Sequence, residues 1–171
     1  MADYKPVSGL IAALANPSLD VRHEAIRQLA GREDALLALL AALAGAPDND
    51  SRWYIATAIS HVGPAAILPL IAAMKENADP AFRRYIAAAL GAIGEPAVEP
   101  LIGALATDDK TLRGVIALAL CRIGKPAVEP LSRHLNDPDE VIRSCAALTL
   151  WQMGEGGVQV LVDKTGEESP E

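Results

Sequence analysis

Apolar side chains in the middle of this chain fall at helical spacing. Over residues 95–124 they occupy Val98, Leu101, Ile102 and Leu105, and then Leu112, Val115, Ile116, Ala119, Leu120 and Ile123. Each set lines one face of a helix with 3.6 residues per turn. The spacing predicts one helix over 97–106 and a second over 111–122. Between them Thr107-Asp108-Asp109 supplies turn and capping chemistry. Pro96 suits a first helical turn, and Gly124 suits the left-handed residue that ends a helix.

The same pattern returns along the chain. The stretch from Ile93 to Leu101 recurs from Ile123 to Leu131 with eight of nine residues identical, and loosely from Val62 to Leu70. Arginines stand at Arg22, Arg52, Arg83, Arg113 and Arg143, in steps of 30, 31, 30 and 30. Glycines follow at Gly63, Gly94, Gly124 and Gly154, and leucines at Leu10, Leu40, Leu70, Leu101 and Leu131. A period of this length marks a helical-repeat array, in which one helix pair buries its apolar face only by stacking on the next. The repeats are expected at about 7–33, 34–63, 64–94, 95–124 and 125–154, with a half repeat at 155–164. Residues 7–164 thus form a single all-α domain of about five helix pairs, ahead of an acidic tail at 165–171, with fraying expected from Asp163 onward. Asp79-Pro80 and Asp137-Pro138 are expected to start second helices. The first repeat is atypical, with Glu33 where later repeats have glycine and a charged second helix, as a polar cap requires. The arginines are expected to pair with Asp20, Asp50, Asp79 and Asp109 of adjacent repeats and so to fix their register.

Composition narrows the class. Hydrophobic residues make up 51% but aromatics only 4%, so the interior is built from Ala, Leu, Ile and Val. A net charge of −7 disfavours phosphate backbones, so no nucleic-acid partner is expected. No 18-residue apolar run is free of charges and breakers, so no membrane span is expected. Residues 1–6 lack a signal-peptide core, which leads to the expectation of a cytoplasmic protein. Cys121 and Cys145 lie outside metal-ligand spacing and read as free thiols in or near the core. Trp151 reads as core or cap, and Glu99 and Glu129 as solvated outer-face residues. No phosphate loop, nucleophile elbow, metal site or cofactor site is seen.

The runs Asp20-Val21-Arg22-His23-Glu24-Ala25, Leu90-Gly91-Ala92-Ile93-Gly94 and Val141-Ile142-Arg143 resemble the HEAT-like repeats first named for phycobilisome lyases. The resemblance covers residues 7–154. It implies a right-handed α-α superhelix, a solenoid, with the second helices lining a concave face. The family includes a di-iron hydroxylase that draws its ligands from His-Glu pairs after the arginines. Here only His23-Glu24 matches; the equivalents are Trp53-Tyr54, Arg84-Tyr85, Gly114-Val115 and Ser144-Cys145, which cannot hold iron in that way. The family also includes bilin lyase subunits, and a lyase-like subunit or chaperone for a chromophore-bearing protein is the alternative to a non-enzymatic scaffold.

Residues just after each arginine, and one and two turns on, should form an exposed stripe. In it Trp53, Tyr54 and Tyr85 gather half of the six aromatics, beside Arg27, Arg84, Arg122 and His61. Trp, Tyr and Arg dominate binding hot spots. The expected function is a protein-interaction scaffold, monomeric or weakly dimeric, that takes a protein or peptide on this patch. The competing role for the aromatics is to fill the seam between repeats two and three.

Overall fold

The computed structural model describes residues 6–166, and the expectations for residues 1–5 and 167–171 lie outside it. Among the described residues there are eleven α-helices and no strand. The fold is the expected all-α solenoid class. The chain divides into two compact units, Met1–Ile93 and Gly94–Glu171, and the division falls at a repeat boundary.

The first unit holds three helix pairs: α1 (Val7–Ala13) with α2 (Leu19–Leu29), α3 (Leu36–Gly45) with α4 (Asn49–Val62), and α5 (Ile67–Glu76) with α6 (Pro80–Ile93). Within it α2, α4 and α6 pack in succession, and α1 packs on α3. The second unit holds α7 (Val98–Ala104) with α8 (Lys110–Ile123), α9 (Lys125–Arg133) with α10 (Glu140–Gln152), and α11 (Glu155–Gly166). There α7, α9 and α11 pack in succession, and α8 packs on α10. The half repeat therefore continues to Gly166, past the expected start of fraying. A single 3-10 turn precedes α3, α5 and α7. The helix α7 is shorter at both ends than the 97–106 expected for it, and the 3-10 turn accounts for its later start.

Leu10, Leu70, Leu101 and Leu131 are buried as expected, but Leu39 rather than Leu40 fills that place in the second pair. The repeat slips by one residue there, and an exact beat of thirty misplaces it. A buried alanine opens each first helix from α3 to α9, at Ala35, Ala66, Ala97 and Ala127. Each buried leucine contributes roughly 1.5–3 kcal/mol of transfer free energy. All five repeats, the first included, end on a glycine at positive φ: Gly31, Gly63, Gly94, Gly124 and Gly154. Gly31, not Glu33, is the first of these. It also donates its N–H to the His61 carbonyl at 2.9 Å, joining the first pair to the second.

The arginines also do a job that the spacing did not suggest. Four of the five bond within their own pair, to the carbonyl six residues earlier, at the end of the preceding first helix. Arg22 reaches Asn16, and Arg113 reaches Thr107. Arg83 reaches Asn77 at 2.9 Å and Met74 at 2.9 Å, and Arg143 reaches Asp137 at 2.5 Å. The residue that offers its carbonyl also makes a turn with its side chain. Asn16 accepts from the Ser18 N–H at 2.9 Å, Asn77 from Asp79 at 2.9 Å, Thr107 from Asp109 at 3.3 Å and Asp137 from Asp139 at 2.8 Å. Those N–H groups belong to the residue that starts the second helix. Asp79, Asp109 and Asp139 then cap it by accepting from Phe82, Leu112 and Val141. Asp139 is thus the cap of α10, displacing Asp137, which closes the turn instead. In the second pair the corresponding residue is Ala46, which has no side-chain acceptor. Among the described residues Arg52 makes no such bond. Arg22 also pairs with an acidic residue of the adjacent repeat, Asp50, as expected.

The first pair is a polar cap as expected. Glu24 accepts from Gln28 at 2.6 Å and from Arg27 at 3.1 Å. The same ladder positions carry Tyr54 and Tyr85, and buried Ala58 and Ala89, in the next two pairs. Trp151 is neither core nor cap, being 64% exposed at the end of α10. Glu99 and Glu129 are exposed, but Glu99 binds Arg133 of α9 at 2.9 Å. The two thiols are half-buried, and burial pushes both pKa values up, so they stay protonated and unreactive.

Arg83 is only 3% exposed. Truncating it orphans two buried carbonyls, so Arg83→Ala should cost about 2–4 kcal/mol in urea unfolding, and Arg52→Ala less than about 1 kcal/mol. In a double-mutant cycle Asn77→Ala and Arg83→Ala should be coupled by at least about 0.5 kcal/mol, because the turn aims the carbonyl that the arginine binds. The Ser51 N–H holds the Asp48 carboxyl below its ordinary pKa, and the His134 hydrogen bond does the same for Asp137. A depressed folded-state pKa gives stability that is present above the unfolded pKa and lost as pH falls through the folded one. The thermal midpoint should therefore drop as pH falls below about 4, and Asp48→Asn should reduce that drop.

Candidate functional site

The surface on the second helices of the first unit is built from the arginine outward. Arg22 is pinned by the Asn16 carbonyl and by Asp50, whose hydrogen bond holds the guanidinium still more firmly protonated. Its planar group lies over the Tyr54 ring, 4.5 Å from the centroid. The His23 ring sits on the same tyrosine at 6.2 Å, tilted by 48°. Tyr85, one repeat later, donates its hydroxyl hydrogen to the Asn49 carbonyl at 3.2 Å. Both tyrosines therefore lean back onto the preceding second helix. They serve the seam, and their half-buried rings leave an edge to solvent.

Trp53 is held differently. It is 49% exposed on α4. Its ladder neighbours are His23 on α2 and Arg84 on α6, both exposed. Arg84 lies over the adjacent Tyr85 ring at 5.6 Å and has no carboxylate partner among the described residues. Arg27, by contrast, is neutralised by Glu24, with atoms as close as 2.5 Å. His61 is exposed at the end of α4, and its Nδ1 donates to the Thr57 carbonyl at 2.8 Å. The first unit thus brings together Trp53, Tyr54, Tyr85, Arg84, Arg27 and His61. Arg122 lies on α8 of the second unit, where it is exposed. Among the described residues no three His, Cys, Asp or Glu side chains gather as metal ligands, and no single helix is long and apolar enough to cross a membrane.

The face of the first unit offers one large indole surface, tyrosine edges and one unneutralised guanidinium. Sequence reasoning missed a second exposed apolar feature on the opposite helices. Leu37 on α3 and Leu68 on α5 are 80% and 70% exposed at the ladder positions where the second unit has Glu99 and Glu129. The 31-residue step between these residues is the signal that would have found them. Tyr85→Phe should cost no more than about 1 kcal/mol in thermal or urea unfolding, since it removes one hydrogen bond at a partly exposed seam.

The family model described as HEAT repeats matches three overlapping stretches, residues 35–120, 67–151 and 98–170. No protein with a curated description matches the sequence. Two solved structures match the chain. One is an engineered protein, 20% identical over 94% of this chain and 85% of its own, with a TM-score of 0.35. The other is a designed armadillo repeat protein in complex with the peptide (KR)4, 15% identical over 98% of this chain and 94% of its own, with a TM-score of 0.35. The repeated helix pair, its terminal glycine and the family match over most of the sequence together show that this chain belongs to the HEAT repeat family.

Proposed function

We propose that the protein is a non-enzymatic scaffold that binds a peptide segment of a partner protein across α2, α4 and α6 of the first unit. The observation that carries this reading is Trp53. An indole left half in solvent, in a chain with six aromatics, is poor use of apolar surface unless something covers it. Its neighbours define the partner's chemistry. An apolar side chain of the peptide would lie on Trp53, and a carboxylate would meet Arg84, the cation of the patch without an acidic partner. Tyr54 and Tyr85 are fixed by the seam and would act as rigid walls, so little conformational entropy is lost on binding. Arg27 would contribute little, because Glu24 already occupies it.

A displayed library of random 12-residue peptides, selected on the whole protein, tests this. Selected peptides should be enriched in an aromatic or aliphatic residue within a few positions of Asp or Glu. Trp53→Ala should weaken the best binder by at least about tenfold, and Arg84→Glu by about five- to tenfold, with helicity unchanged by circular dichroism. Binders untouched by either substitution would place the interaction elsewhere.

A further inference from the structure

The second unit contains a cavity of about 500 Å³ between the α8–α9 corner and the α10–α11 corner. Its origin is visible in the repeat. Where the other first helices begin with Pro96-Ala97 or Pro126-Ala127, α11 has Gly156-Gly157. The alanine of this pair is fully buried in the repeats that have it. At Gly157 an alanine is impossible in place, since a Cβ would lie 1.9 Å from the Leu150 carbonyl oxygen. The glycine lets α11 settle directly against the end of α10. A Cβ on Gly156 meets open space, which is the cavity itself.

The walls are apolar: Val128 from α9, Met153 from the end of α10 and the protonated Cys121 thiol from α8. Two charges line the cavity along α9. Glu129 has a companion, the Ser132 hydroxyl at 3.4 Å. Lys125 is exposed and makes no ion pair or hydrogen bond among the described residues. At this departure from the repeat lies a half-open, largely apolar cleft of ligand size, with a lysine beside it that no carboxylate pairs among the described residues.

We propose that this cavity is a binding site for a small apolar monocarboxylate, its hydrocarbon body packed on Val128 and Met153 and its carboxylate on Lys125. The site is separate from the peptide surface of the first unit, and its ligand would be a free organic acid, not a protein. A chain of about ten carbons suits the volume.

Decanoate is the probe, and methyl-labelled methionine is the reporter. Met153 lines the cavity, and Met74 is fully buried in the first unit and serves as an internal control. Titration with decanoate should move the Met153 methyl resonance saturably, with half-saturation below about 1 mM, and leave Met74 still. Gly156→Leu should fill the cavity and abolish the shift. Val128→Phe fills the same space from α9, so the test survives if one variant fails to fold. Lys125→Gln should weaken binding about three- to fivefold, as for an exposed ion pair. Decanol should bind more weakly than decanoate by a similar factor. The site is refuted if Met153 does not respond, or responds equally in both filled variants. The carboxylate assignment is refuted if decanol and decanoate bind alike and Lys125→Gln changes nothing.

Discussion

The fold rests on an arginine side chain that satisfies the carbonyl six residues behind it. A first helix ends with unbonded carbonyls, and packing the second helix back on it would bury them without water. In four of the five pairs the guanidinium reaches back and takes the carbonyl at the turn. The same residue's side chain meanwhile accepts the N–H of the residue that starts the second helix. One short segment thus ends a helix, turns the chain and starts the next helix. Once the turn is fixed, the apolar faces of the two helices are aimed at the neighbouring pair, and hydrophobic burial does the rest.

Stacking also explains why the aromatics behave unequally. A tyrosine one position past Trp53 or Arg84 points back at the previous pair. Tyr54 finds Arg22 and His23 there, and Tyr85 finds the Asn49 carbonyl. In the first pair no earlier second helix precedes α2 among the described residues, and the position holds Glu24, bonded to its own helix. The residue directly after the arginine points away from the seam, which leaves Trp53 and Arg84 exposed. The same geometry that packs one aromatic position therefore presents the other.

Much of this was legible in the sequence. The period, the helix pairs, the closing glycines and the exposed stripe all follow from spacing, because each is a local demand repeated five times. Three things were not legible. The slip that puts Leu39 where Leu40 was expected comes from the link between the first and second pairs, and an exact beat conceals it. The carbonyl partner of the arginine was missed because acidic residues are an obvious match for a cation, whereas a backbone carbonyl leaves no mark in composition. Its mark was indirect: Asn16, Asn77, Thr107 and Asp137 all stand six residues ahead of an arginine, and Ala46 does not. The cavity was hidden for the opposite reason. It arises where the repeat is broken, at Gly156-Gly157, and a search for regularity passes over the exception.

The central claim is that four of the five ladder guanidinium groups are locked to the backbone and those of the stripe are not. Nitrogen-resolved spectra of the arginine side chains near neutral pH test it directly. The Nε–H of Arg83, bonded to two carbonyls, should exchange slowly with water, and those of Arg27, Arg84 and Arg122 should exchange fast. A guanidinium of Arg83 that exchanges as quickly as that of Arg84 would contradict the account.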